Sequence, residues 1–104
     1  MDLTVLAVPG CPNASVLERR LAEALAGRPG ITITRQVITS PTEAARWRMH
    51  GSPTLLVNGQ DPFAEPGMVP ALACRLYRGE DGRLDGAPTR VALRRALDQA
   101  ESAG

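Results

Sequence analysis

The chain has 104 residues, enough for one domain and short for two. Twelve basic and eleven acidic residues leave a formal net charge of +1, so no electrostatic surplus points to nucleic acid or an anionic membrane. With 43% hydrophobic residues and no apolar run near the ~20 residues of a membrane helix, the composition suits a packed soluble core.

The start, Met1-Asp2-Leu3-Thr4, has no basic segment and no small-residue cleavage site. The expected compartment is therefore the cytoplasm, where Cys11 and Cys74 are thiols rather than a structural disulfide. Leu3–Val8 is almost wholly apolar and rich in branched residues, the pattern of a strand covered on both faces. Pro9-Gly10 ends it. From Ala14, the residues Leu17, Leu21 and Leu25 recur at helical spacing, with Pro12 in the first turn, where its missing N–H costs nothing, and Gly27 near the end. Ile31–Ile38 alternates and then turns apolar, which predicts a second, less buried strand parallel to the first.

Ser40-Pro41-Thr42-Glu43 is a capping box and opens a second helix carrying Ala44, Ala45, Trp47 and Met49, with Gly51 as its stop. Thr54–Val57 is a third strand closed by the Asn58-Gly59 turn signal. An irregular stretch from Gln60 to Pro70 precedes a fourth strand, Ala73–Arg78, antiparallel to the third. A last helix starts near Pro88-Thr89, with Val91, Leu93, Ala96, Leu97 and Ala100 on its inner side, and residues 101–104 fray. The expected fold is an α/β domain spanning residues 1–104, ordered β-α-β-α-β-β-α, with a four-stranded mixed sheet and flanking helices.

Cys11 falls between the first strand and the first helix. Unpaired N–H groups of a first helical turn point toward such a sulfur, and the helix dipole adds roughly half a positive charge, so both favour thiolate over thiol. The position three residues on is Ala14, so Cys11 has no neighbouring thiol with which to close a local disulfide. Monothiol chemistry remains: attack on a mixed disulfide, capture of a soft metal or electrophile, or peroxide reduction. Cys74 is a resolving partner, a second metal ligand or a buried strand residue.

The element order, a cysteine at the first strand–helix turn, and Gly51-Ser52-Pro53-Thr54 before the third strand resemble the thioredoxin superfamily over nearly the whole chain. In that superfamily the matching proline has a cis peptide bond and lies against the active cysteine, which implies the same for Pro53 and Cys11. Gly10-Cys11-Pro12-Asn13, Gly51-Ser52-Pro53-Thr54, Asp61-Pro62-Phe63 and Cys74-Arg75-Leu76-Tyr77 together look like a group of small bacterial thioredoxin-like proteins. Some members of that group are selenoproteins and others are labelled alkylmercury lyase-like. The resemblance implies a redox or soft-ligand role for Cys11, with Cys74 as a second catalytic thiol. It also implies substrate-binding roles for Pro12, Asn13, Ser52, Pro53 and Thr54.

The expected partners are a small thiol, a disulfide or a soft electrophile, with a protein thiol partner also compatible; nucleic acid and membrane are not expected. No cofactor is called for, and two distant cysteines with one histidine do not supply a zinc site. Organomercurial cleavage or mercury binding through Cys11 and Cys74 is the alternative enzyme or binding reading. The lyases place an aspartate three residues after the first cysteine, where this chain has Ala14, and Asp61 is the only substitute acid. A non-catalytic adaptor is the third reading. His50, the only histidine, is either an acid–base group near Cys11 or a partner of the last helical carbonyls. Trp47 is read as packing, Phe63 as an anchor for its loop, and Arg94-Arg95 as a solvated face.

Overall fold

A computed structural model describes residues 1–103. It comprises β1 (Asp2–Ala7), α1 (Pro12–Ala24), β2 (Thr32–Val37), α2 (Pro41–Trp47), β3 (His50–Ser52), β4 (Thr54–Val57), β5 (Ala71–Cys74), β6 (Tyr77–Arg78), β7 (Leu84–Asp85) and α3 (Arg90–Ala103). β1 is apolar at Leu3, Val5, Leu6 and Ala7, and its alternating side chains enter two different cores. Leu3, Val5 and Ala7 join Leu17 and Leu21 of α1 and Leu93 and Leu97 of α3. Leu6 points the other way, into Ile38, Ala44 and Met49 beside α2. β4 divides in the same manner, Leu55 and Val57 to the first core and Leu56 to the second. The sheet order is β2–β1–β4, with β2 parallel and β4 antiparallel to β1. The result is a compact α/β domain with a mixed sheet, α1 and α3 on one face and α2 on the other. Leu17 and Leu21 are fully buried, and each such side chain contributes about 1.5–3 kcal/mol of burial.

Ser40 caps α2 as expected: its Oγ accepts the Glu43 N–H at 3.1 Å, and the Glu43 carboxylate accepts the Thr39 N–H at 3.1 Å. The stop is not Gly51. α2 ends at Trp47, with Arg48 as a left-handed cap at φ 59°, and Met49 lies beyond the helix yet fully buried. Gly51 instead sits inside β3 at φ +95°. A Cβ there would lie 2.9 Å from the Arg75 Cβ and 3.1 Å from the Ala73 carbonyl, so glycine lets β5 close onto β3. The Asn58-Gly59 turn forms as expected, both residues at positive φ and Val57 paired with Gln60.

The expected fourth strand does not form as one element or enter the sheet. Its first part is β5, which runs parallel to β3 with Ser52 opposite Cys74; its last residues are β6, antiparallel to β7. The division falls at Arg75 and Leu76, which belong to neither strand, and the Arg75 side chain there is buried and ion-paired. Thr89 caps α3 by accepting the Ala92 N–H at 3.1 Å. Leu93, Ala96 and Leu97 form its inner face, but Val91 is 47% exposed. Helix continues through Ala103 where fraying was expected, and residue 104 lies outside the described residues. Among the described residues no helix is long and apolar enough to cross a membrane.

Candidate functional site at the tip of the first helix

β1 gives way to a tight turn at Val8–Cys11, made by Gly10 at φ 71° and closed by the Cys11 N–H donating to the Val8 carbonyl at 3.2 Å. Cys11 is the N-cap of α1, extended at φ −66° and ψ 112°, and makes no side-chain cap bond. Its carbonyl accepts the Ala14 N–H at 3.3 Å. The cysteine is free, half-buried, and packs against the edge of the α1–α3 core. No acidic residue stands in the first turn of this helix, so the sulfur does not compete with a carboxylate for the positive end of the dipole.

Two side chains, Arg35 and Tyr77, carry raised pKa values. Arg35, on β2 opposite Val5, binds Glu18 through Nε at 2.9 Å and reaches Ser15 Oγ at 3.5 Å. The hydrogen bond to Glu18 raises the Arg35 pKa most, and the charge of Cys11 adds to it. Burial pushes the Tyr77 hydroxyl far up; Arg75 opposes this, and the charges of Asp61 and Cys11 reinforce it. Arg35 is thus a cation braced by Glu18, and Tyr77 a phenol kept protonated by its burial. Neither was legible as a site residue, since an arginine in an alternating strand and a tyrosine beside a buried arginine look alike whether or not a thiol is near.

The Ser52–Pro53 peptide bond is cis. Ser52 Oγ accepts the Val8 N–H at 3.1 Å, which ties this turn to the strand end that presents Cys11. Three consecutive residues of the turn are each held by the segment at 75–77. The Arg75 N–H donates to the Ser52 carbonyl at 3.0 Å, the Tyr77 hydroxyl donates to the Pro53 carbonyl, and the Arg75 guanidinium donates to Thr54 Oγ1 at 3.3 Å. Thr54 Oγ1 also donates to the Gly51 carbonyl at 2.7 Å. Ser52, Pro53 and Thr54 are all buried. Their side chains therefore build the interior of the turn.

Behind the turn lies a buried charge network. Arg75 pairs with Asp61 at 2.6 Å, donates to the Phe63 carbonyl at 2.8 Å, and stacks 4.6 Å above the Tyr77 ring, while its Nε is buried without a hydrogen-bond partner. Asp61 also accepts the Phe63 N–H at 2.8 Å and meets His50 Nδ1 at 3.1 Å. Phe63 and Tyr77 pack edge to face at 5.7 Å. Phe63 is thus the anchor of its loop. His50 turns toward Asp61 instead of a helical carbonyl, and Asp61 is committed to three donors rather than free as an acid.

Cys74 is exposed, not a buried strand residue. Pro12 is exposed beside Cys11, and Asn13 is half-buried with its amide filling the space a Cβ would take on Gly86. Among the described residues no group of three His, Cys, Asp or Glu side chains is placed to hold a metal ion. Set against models of protein families, curated proteins and solved structures, the chain matches none of them.

Proposed function

We propose that this chain is a thioredoxin-like thiol protein in which Cys11 is the nucleophile toward a small disulfide, a mixed disulfide or another soft electrophile. The observation that carries the reading is the half-buried Cys11 at the N-cap of α1, with no carboxylate in the first helical turn and with the preceding strand end tied to Ser52 through the Val8 N–H. The parallel β1–α1–β2 unit, the antiparallel β4 and the packing of α3 on α1 support a thioredoxin-like architecture. On this reading β5, laid along β3, stands in for the fourth strand.

The Cys11 thiolate attacks one sulfur of the substrate disulfide, the S–S bond breaks, and its electron pair leaves on the other sulfur as thiolate. A mixed disulfide on Cys11 results. A second thiolate then attacks the Cys11 sulfur or its partner and completes the exchange, so thiols and disulfides balance without a cofactor. Small thiols and protein thiols are the expected partners, and the cytoplasm, which keeps them reduced, is the expected compartment. Carbon–mercury cleavage is less well served, because Asp61 is held between Arg75 and His50.

Carbamidomethylation of Cys11 by iodoacetamide at neutral pH, followed by peptide mass spectrometry, tests the reading. The native chain should react roughly tenfold faster than the urea-unfolded chain. Exchange with a glutathione mixed disulfide should vanish in Cys11→Ser. Native labelling slower than unfolded labelling overturns the proposal.

A further inference from the structure

Arg75 is the one buried arginine among the described residues, with a side chain 3% exposed. Its three nitrogens are not served alike. Nη1 donates to Asp61 at 2.6 Å and to Thr54 Oγ1 at 3.3 Å, and Nη2 donates to the Phe63 carbonyl at 2.8 Å. Nε is buried and donates to nothing. A planar guanidinium carries its Nε–H on the edge shared with Nη2, so the idle donor lies on the edge that meets Phe63, not the one that meets Asp61. Phe63 and Arg75 both border a cavity of about 290 Å³, whose walls also include Met68, Leu76, Tyr77 and Ala92. That volume stands at the low end of ligand cavities, which run from about 300 to 1,000 Å³. Neither Cys11 nor Cys74 is in the lining.

The charges decide what such a cavity takes. Asp61 already balances Arg75, so a second carboxylate brought to Nε would be a buried charge with no cation of its own. The exposed Glu65 and Arg78 also line the cavity and carry opposite signs. An uncharged acceptor completes the guanidinium without adding charge, and a buried donor left idle is the exception in folded proteins. We propose that this cavity is a second binding site, for a small, largely apolar molecule that presents a neutral carbonyl oxygen, as an amide or a ketone does, to the Arg75 Nε–H. Its apolar body lies against Phe63, Met68, Leu76 and Ala92. Met68 and Leu76 lie on chain outside helix and strand, and a methionine wall is adaptable, so these two yield to admit an oxygen to a donor that solvent does not reach.

Benzamide, toluene and benzoate, each titrated into the full ¹⁵N-labelled chain, separate the terms by NMR, because the Arg75 Nε–H has its own proton–nitrogen resonance. Benzamide should shift that resonance saturably in the millimolar range of a fragment its size, together with the backbone amides of Met68, Leu76 and Ala92. Toluene, which lacks the acceptor, and benzoate, which carries a charge, should each bind about tenfold more weakly. Ala92→Leu fills the cavity from α3 without touching Arg75 and should abolish the shifts, and Ala92→Met provides a second variant with the same expected result. No saturable shift of the Nε–H with benzamide overturns the proposal. So does toluene or benzoate binding as tightly as benzamide, or benzamide binding unchanged in a folded Ala92 variant. Cys11 reactivity, read separately with iodoacetamide, is untouched by any of these results.

Discussion

The turn that presents Cys11 and the stretch from Gln60 to Arg78 place their chemistry by opposite means. The turn is local: four residues from Val8 to Cys11, one positive-φ glycine and the start of a helix put a sulfur at the surface. The stretch is non-local. Asp61, Phe63, Arg75 and Tyr77 come from separate segments and meet only in the folded chain, behind residues 52–54. A reactive group can thus be supplied by a few neighbouring residues, while the wall that sets its surroundings draws on chain far away. A buried ion pair is costly to assemble from water, so its presence behind the turn points to a need for one fixed geometry there.

The sharpest way to break this comparison is to remove a charge from the wall. Arg75→Met leaves the Asp61 carboxylate buried without its cation, and should destabilise the fold by about 3–5 kcal/mol in urea or guanidinium unfolding. Arg75→Met with Asp61→Asn should recover a good part of that loss. A cost for the single variant under about 1 kcal/mol would mean the network is ornamental to the fold. Gly51→Ala should come next, at about 1–3 kcal/mol, from its left-handed backbone and the 2.9 Å contact with Arg75.

The smallest effect belongs to a local device. Thr39 hydrogen bonds, from the hydroxyl and then the backbone N–H, hold the exposed Glu43 carboxyl below its usual value near 4.5. A carboxylate with a depressed folded-state pKa stabilises the fold above its unfolded pKa and loses that contribution as pH falls through the folded value. The stability difference between wild type and Glu43→Gln should therefore be present at about pH 7 and shrink toward about pH 3, read from urea midpoints. A difference that grows on acidification would refute the assignment.

What the sequence made legible follows the same division. The apolar runs of β1 and β4, the Ser40 capping box, the Asn58-Gly59 turn and the placement of Cys11 ahead of a helix are all short-range patterns. Each appears where the residues put it. The route of residues 71–78 was not legible. Ala73–Arg78 reads as one strand because nothing within it announces that Arg75 will turn inward to a carboxylate fourteen positions earlier. Gly51 was read as a helix stop because positive φ and close approach both ask for glycine, and only the position of β5 tells them apart. Arg35 carries no signal in the sequence, since its pairing with Glu18 joins β2 to α1 only in the folded chain.

One strand is left with a bare flank. β2 lies at the rim of the sheet, paired with β1 on one side and with no strand on the other among the described residues. Ile33 and Val37 are partly exposed along it. Such a rim invites a neighbouring molecule to extend the sheet, and a charged side chain midway along it discourages that. Arg35 occupies that middle position, braced by Glu18 on α1. Arg35 therefore works as a guard against stacking of one copy on the next, so its removal bears on solubility.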